Sequence, residues 1–132
     1  MTRRRDCVAR AISIACEISY EHACLLIEQH AARERPGRNG FRSHPQRGVK
    51  KQTTRKILAS LGWEWVPTMQ VGSGCTVHLR ADELPQGRII ALVSRHLVAV
   101  IDGKIHDIGD PTRRGTRCVY GYYRPKQALA VS

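Results

Sequence analysis

The chain has 132 residues and carries 22 Lys and Arg against 11 Asp and Glu, a net charge of +11, with 42% apolar residues. These figures fit one ordinary domain with a single core and exclude a disordered chain. They also exclude a membrane span, since no apolar run approaches the roughly 20 residues one needs. So strong a positive charge attracts anions, either nucleic acid or an acidic protein surface, or else serves solubility alone.

The N-terminus, MTRRRDCVARAISIAC, has the basic start and apolar run of a signal peptide, but Asp6, Arg10 and Glu17 interrupt it. It reads better as an amphipathic helix, and the expected location is the cytosol. Asp6 is placed as an N-cap, and Val8, Ala11, Ile12 and Ala15 recur at helical spacing. After a break near Ile18, Ser19 can cap a second helix over 20–33, with Ala23, Leu26, Ile27 and His30 on one face.

The segment from Arg33 to Lys56 is rich in Gly, Pro, Arg and Lys and contains one acid, Glu34. Its breakers predict a loop through about Gly48. A third helix follows over 49–61, with Thr54, Ile57, Leu58 and Leu61 facing the core and Gly62 closing it. The stretch from Arg35 to Lys56 is the candidate contact for nucleic acid or an acidic protein, on charge alone.

Beyond Trp63 the pattern turns to strands. Trp63 to Val66 is a short strand stopped by Pro67, and Gly72-Ser73-Gly74 is a turn. Residues 76–79 read as extended, and 80–84 as one helical turn ended by Pro85. Arg88 to Val93 is a strand apolar enough to be buried on both faces. Two β-rich runs, His96 to Ile101 and one beginning at Lys104, flank Asp102-Gly103, the dipeptide that most favours a two-residue hairpin turn. Cys118 to Tyr123 is a last strand, and the tail 126–132 is expected to fray. Helices followed by an antiparallel sheet make an α+β fold in one domain, 1–125.

The cysteines, Cys7, Cys16, Cys24, Cys75 and Cys118, are odd in number and irregular in spacing, which argues against a disulfide framework and for a reducing compartment. Cys16 and Cys24 fit small core positions. Cys7 differs, because it lies in the first turn of a predicted helix, where free N–H groups and the helix dipole favour a thiolate. His96 opens an otherwise apolar strand. With Asp102-Gly103 as a two-residue turn, Ile101 pairs with Lys104, Val98 with Asp107 and His96 with Gly109. His96, Val98 and Asp107 then share a face, and His106 takes the other. Asp110 falls beyond the pairing, so the register selects Asp107 as the carboxylate diagonal to His96. Nucleophile, base and orienting carboxylate together form a thiol-catalysis arrangement.

The residues Asp6-Cys7-Val8-Ala9-Arg10-Ala11, Leu61-Gly62-Trp63, His96 to Gly103 with Ile105-His106-Asp107, and Gly115 to Tyr122 resemble a family of small tailed-phage proteins. More distantly, the chain is similar to papain-like cysteine peptidases of the bacteriocin-processing and NlpC/P60 kinds. The resemblance implies helices packed on an antiparallel sheet in the papain-like manner. It also implies a thiol hydrolase or transferase acting on an amide in a protein or peptide, with Cys7, His96 and Asp107 catalytic, working in the host cytoplasm. Papain-like enzymes carry a Gln shortly before the cysteine as an oxyanion donor, whereas here only Met-Thr-Arg-Arg-Arg-Asp precedes Cys7. A donor is then expected from the Cys7 backbone together with Thr2, Gln52 or the 72–74 loop.

Other arrangements compete. Cys75 and His78 have metal-like spacing, with Cys118 and His106 as distant partners, and Cys75 could itself be a nucleophile beside His78. Trp63, Trp65 and the Tyr120, Tyr122, Tyr123 group read as core and strand-edge aromatics, or as a base-stacking surface beside the basic loop. The alternative to catalysis is a basic phage protein that binds nucleic acid or an acidic host protein and keeps the triad as a relic. No cofactor or metal is expected.

Overall fold

Helix α1 (Cys7–Cys16) buries Val8, Ala9, Ala11, Ile12 and Ala15, the stripe its spacing requires. It ends at Glu17, which takes the left-handed conformation with φ 57°. Helix α2 (Tyr20–Ala31) starts where the Ser19 hydroxyl accepts the His22 amide at 3.0 Å. It stops two residues before the expected Arg33. These elements come from a computed structural model that describes residues 6–35, 40, 42–69, 72, 74–94, 96–106 and 117–126.

Asp6 stands at the N-cap position of α1, but its side chain caps nothing. The carboxylate is instead held by Arg10 Nε at 2.9 Å and by the Tyr20 hydroxyl at 3.0 Å. A charged guanidinium one turn along competes better for a carboxylate than a neutral backbone amide does.

The basic segment between α2 and α3 (Lys51–Ser60) is built around its one acid. The Glu34 carboxylate, with only 7% of its side chain exposed, accepts hydrogen bonds from the Ser43 hydroxyl and the Thr53 hydroxyl, and from the Ser43 amide at 2.7 Å. Lys50 Nζ lies 3.7 Å from it. The Ser43 hydroxyl in turn accepts the Lys50 amide at 2.9 Å, and His44 pairs with Gly48 across a tight turn. Helix α3 buries Thr53, Thr54, Ile57 and Leu58, and Gly62 follows at φ 85°.

Strands β1 (Trp63–Pro67), β2 (Arg88–Val93), β3 (His96–Ile101), β4 (Lys104–His106) and β5 (Val119–Pro125) form one antiparallel sheet in the order β1-β5-β2-β3-β4. The class is α+β. The sheet is buried on both faces, as the apolar run of β2 implied. Ile90, Leu97, Ala99 and Tyr123 pack with the helices. Ile89, Ala91, Val93, Val98, Val100 and Val119 pack beneath Leu79 and Leu84 from the irregular segment before β2. That segment is tied to β5 by the His78–Cys118 bridge, with Leu79 N–H on Arg117 O and Val119 N–H on Val77 O, both at 2.8 Å.

The β3–β4 turn is the one the dipeptide demands, with Asp102 at φ 50° and Gly103 at φ 78°. Asp102 also clamps the start of β2, since its carboxylate accepts the Gly87 amide at 2.8 Å and its own N–H donates to Gly87 O at 2.9 Å. In β5, Gly121 is required by the indole of Trp65, because a Cβ there would fall 2.4 Å from two ring atoms.

One expectation fails outright. Cys75 and Cys118 form a disulfide, leaving Cys7, Cys16 and Cys24 free. The two cysteines lie 43 residues apart in the chain and meet only because β5 returns beside the 77–79 segment, a juxtaposition that spacing along the chain does not encode.

Candidate active site

Cys7 is the first residue of α1, which packs against β3. The Ile101–Lys104, Val100–Ile105 and Ala99–His106 pairs hold the β3–β4 hairpin in the expected register. In an antiparallel ladder the amides of alternate residues point the same way, so those of Ile101, Ala99 and Leu97 all face the β4 side. Among the described residues β4 ends at His106. The Leu97 backbone lowers the pKa of the Cys7 thiol. The thiol also shares a hydrogen bond with the ring of His96.

Helix α1 covers the Leu97–Ala99 face, whereas strict alternation places His96 with Val98 and Val100 on the other. Asp107 and Asp110, the carboxylates weighed for the third position, lie outside the described residues. His106 opposes Ala99 across the ladder.

The electrostatics separate Cys7 from the other free thiols. Burial works to raise its pKa, but the His96 hydrogen bond, the Leu97 backbone, the charge of His96 and that of Arg10 outweigh it, and the thiol sits below its ordinary value. Burial pushes Cys16 up to about 11, against a partial offset from Arg88. It also raises Cys24, where the Tyr20 hydrogen bond is opposed by Glu28, Asp6 and Glu21.

Asp6, adjacent to Cys7 and 2% exposed, is occupied by Arg10 and Tyr20. Burial and the Asp6 hydrogen bond and charge, with a smaller contribution from Cys24, move Tyr20 up to about 12, so it stays a neutral donor to the carboxylate. Arg10 and Leu97 were not singled out by sequence. Arg10 had a readable signal, standing one turn from both Asp6 and Cys7 on the same helix. The Leu97 backbone had none, because its influence depends on the packing of α1 against β3.

Other sequence candidates separate cleanly. With both partners in a disulfide, neither Cys75 nor Cys118 is a nucleophile or a metal ligand. The His78 ring pairs with Glu83 at 3.2 Å instead. No group of three or more metal-ligating side chains occurs among the described residues. Of the proposed oxyanion donors, Gln52 is on the exposed side of α3, while Thr2 and Ser73 lie outside the described residues. Trp63 and Tyr123 are buried, and the ring of Trp65 packs against Tyr123 at 4.8 Å, so these aromatics do not form a stacking surface.

A thiol held below its ordinary pKa by an imidazole and by a strand backbone is equipped to act as a nucleophile whose proton the imidazole takes. No helix among the described residues is long and apolar enough to cross a membrane. Neither protein-family models, nor curated proteins, nor solved structures give a match to this chain.

Proposed function

We propose that the chain is a papain-like thiol hydrolase of phage origin that cleaves an amide bond in a protein or peptide, with Cys7 as nucleophile and His96 as base. The lowering of the Cys7 thiol by the His96 ring, on a cysteine that opens α1, carries this reading. His96 takes the thiol proton, and the sulfur adds to the substrate carbonyl carbon. The resulting oxyanion is met by free N–H groups at the start of α1, which also carry the positive end of its dipole. As the C–N bond breaks, the imidazolium returns the proton to the leaving amine. Water, deprotonated by His96, then releases the acid from the thioester and regenerates the thiol. Asp107 is assigned the orienting role on the strength of the hairpin register and the family resemblance.

The disulfide withdraws the cysteine-count support for a reducing host cytoplasm. The chemistry asks only that Cys7 itself stay reduced. Iodoacetamide at neutral pH followed by peptide mapping tests the assignment. Cys7 is expected to be alkylated at least tenfold faster than Cys16 or Cys24, and His96→Ala to remove most of that advantage. Equal rates at all three thiols, or a Cys7 rate unchanged by His96→Ala, would overturn it.

A further inference from the structure

Independently of the thiol chemistry, we propose that the exposed side of α3 and the loop leading into it form a surface for the phosphate backbone of nucleic acid. Along α3, Lys51 and Arg55 stand one turn apart on one row, and Gln52 and Lys56 on the next; all four are exposed. Arg42 and Arg47 are exposed on the loop, and so is Arg35 at its start. The Ser43–Lys50 hydrogen bond brings the two ends of the 43–50 turn together at the head of α3, so the loop cations and the helix cations adjoin.

Three observations distinguish this surface from an ordinary solvated face. Among the described residues, Arg35, Arg42, Arg47, Lys51, Arg55 and Lys56 enter no ion pair, whereas Lys50 beside them and Arg10, Arg80, Arg88 and Arg124 elsewhere are each matched to an acid. The only acid in the segment, Glu34, is turned inward and ties Ser43, Lys50 and Thr53 together, so the described part of the loop shows no acid outward and is held against α3. Rigid placement matters, since a loop already ordered loses less entropy on binding.

The third observation chooses between the two anionic partners. A protein interface draws its affinity from a buried apolar or aromatic centre with a polar rim. Among the described residues the exposed large apolar side chains are Leu25 on α2 and Tyr120 on β5, and neither belongs to this surface. The described residues of this surface offer cations and amides rather than an apolar centre, which suits a phosphate backbone read without regard to sequence.

Binding of the full chain to a 20-base-pair duplex of arbitrary sequence, measured by fluorescence anisotropy across salt concentrations, tests the proposal. At about 0.9 per phosphate neutralised, six cations limit the slope of log K against log salt to about −5. Lys51→Glu with Arg55→Glu is expected to weaken binding at least tenfold at 0.1 M salt and to make the slope shallower by about 2. The neutral triple Lys51→Gln, Arg55→Gln, Lys56→Gln provides a version free of new repulsion and should lose binding in the same direction. Lys104→Glu with Lys126→Glu changes net charge by the same amount at exposed sites on β4 and after β5, and should stay within about threefold of the parent. Equal losses in the two charge-reversed pairs would overturn the proposal in favour of net charge alone. So would poly-glutamate binding as tightly as the duplex at the same salt. Neither result bears on Cys7 alkylation, which stands or falls separately.

Discussion

Glu34 shows how one residue can organise a segment of opposite charge. Burial works to raise its pKa, but the Ser43 and Thr53 hydroxyls, the Ser43 amide and the Lys50 charge outweigh it and hold the carboxyl below its ordinary 4.5. A carboxylate lowered by folding contributes stability that is complete above the unfolded value and is lost as pH falls through the folded one. Glu34→Ala is therefore expected to cost about 3 kcal/mol at pH 7, chiefly by stranding the groups that point at it. In thermal melts recorded from pH 7 down to pH 3, the variant should also show a shallower acid-side loss than the parent. Equal acid-side slopes would place the acid sensitivity elsewhere. The sequence displayed Glu34 as the lone acid of the loop, but not its partners, since Ser43 and Thr53 lie nine and nineteen residues away. Asp6 was misread for the same reason: the cap position is local, whereas Tyr20 is fourteen residues on. The positions of Cys7 and His96 were legible because helix starts and strand starts are local features.

At the scale of elements, legibility followed sequence separation. The helices and the β3–β4 hairpin were predicted within a few residues, because periodicity, caps and the Asp102–Gly103 turn act over short spans. The strand order was not. β5 is last in the chain, yet it inserts between β1 and β2, and nothing local in Val119 to Pro125 announces two neighbours. One residue of β5 does carry a trace of the arrangement. Gly121 faces the indole of Trp65 so closely that an added methyl overlaps the ring, with the Val66 carbonyl 2.9 Å away on backbone that yields little. Gly121→Ala is expected to destabilise by about 2 to 3 kcal/mol through overpacking, read as a lowered urea midpoint. Gly72→Ala gives the comparison, because a Cβ there meets nothing within 4 Å. Its cost should come from the positive φ alone, about 1 kcal/mol. Equal midpoints for the two variants would mean that Trp65 yields to the methyl.

Across the whole molecule, the Cys75–Cys118 disulfide joins the segment that covers one face of the sheet to the strand that sits inside it. Closing a chain separation of 43 residues stabilises by about 4 kcal/mol on a chain-entropy argument, and measured values commonly run from about 2 to 4. Cys75→Ser with Cys118→Ser is expected to lower Tm by about 10 °C, and dithiothreitol should do the same to the parent but add little to the variant. Counting thiols under denaturing, non-reducing conditions should return three. A count of five would remove the cross-link and restore the reducing-compartment argument. This feature lay furthest from the sequence, because it requires the complete topology before the two sulfurs can be seen as neighbours.

The Leu97 backbone and the His96 ring both draw the Cys7 thiol below its ordinary value. The first influence is main chain, so it outlasts any substitution at position 96 or 97. A descendant that had lost its chemistry would still favour a thiolate here, so a retained cysteine is weak testimony to activity. The freer witness is His96, whose influence ends with its side chain.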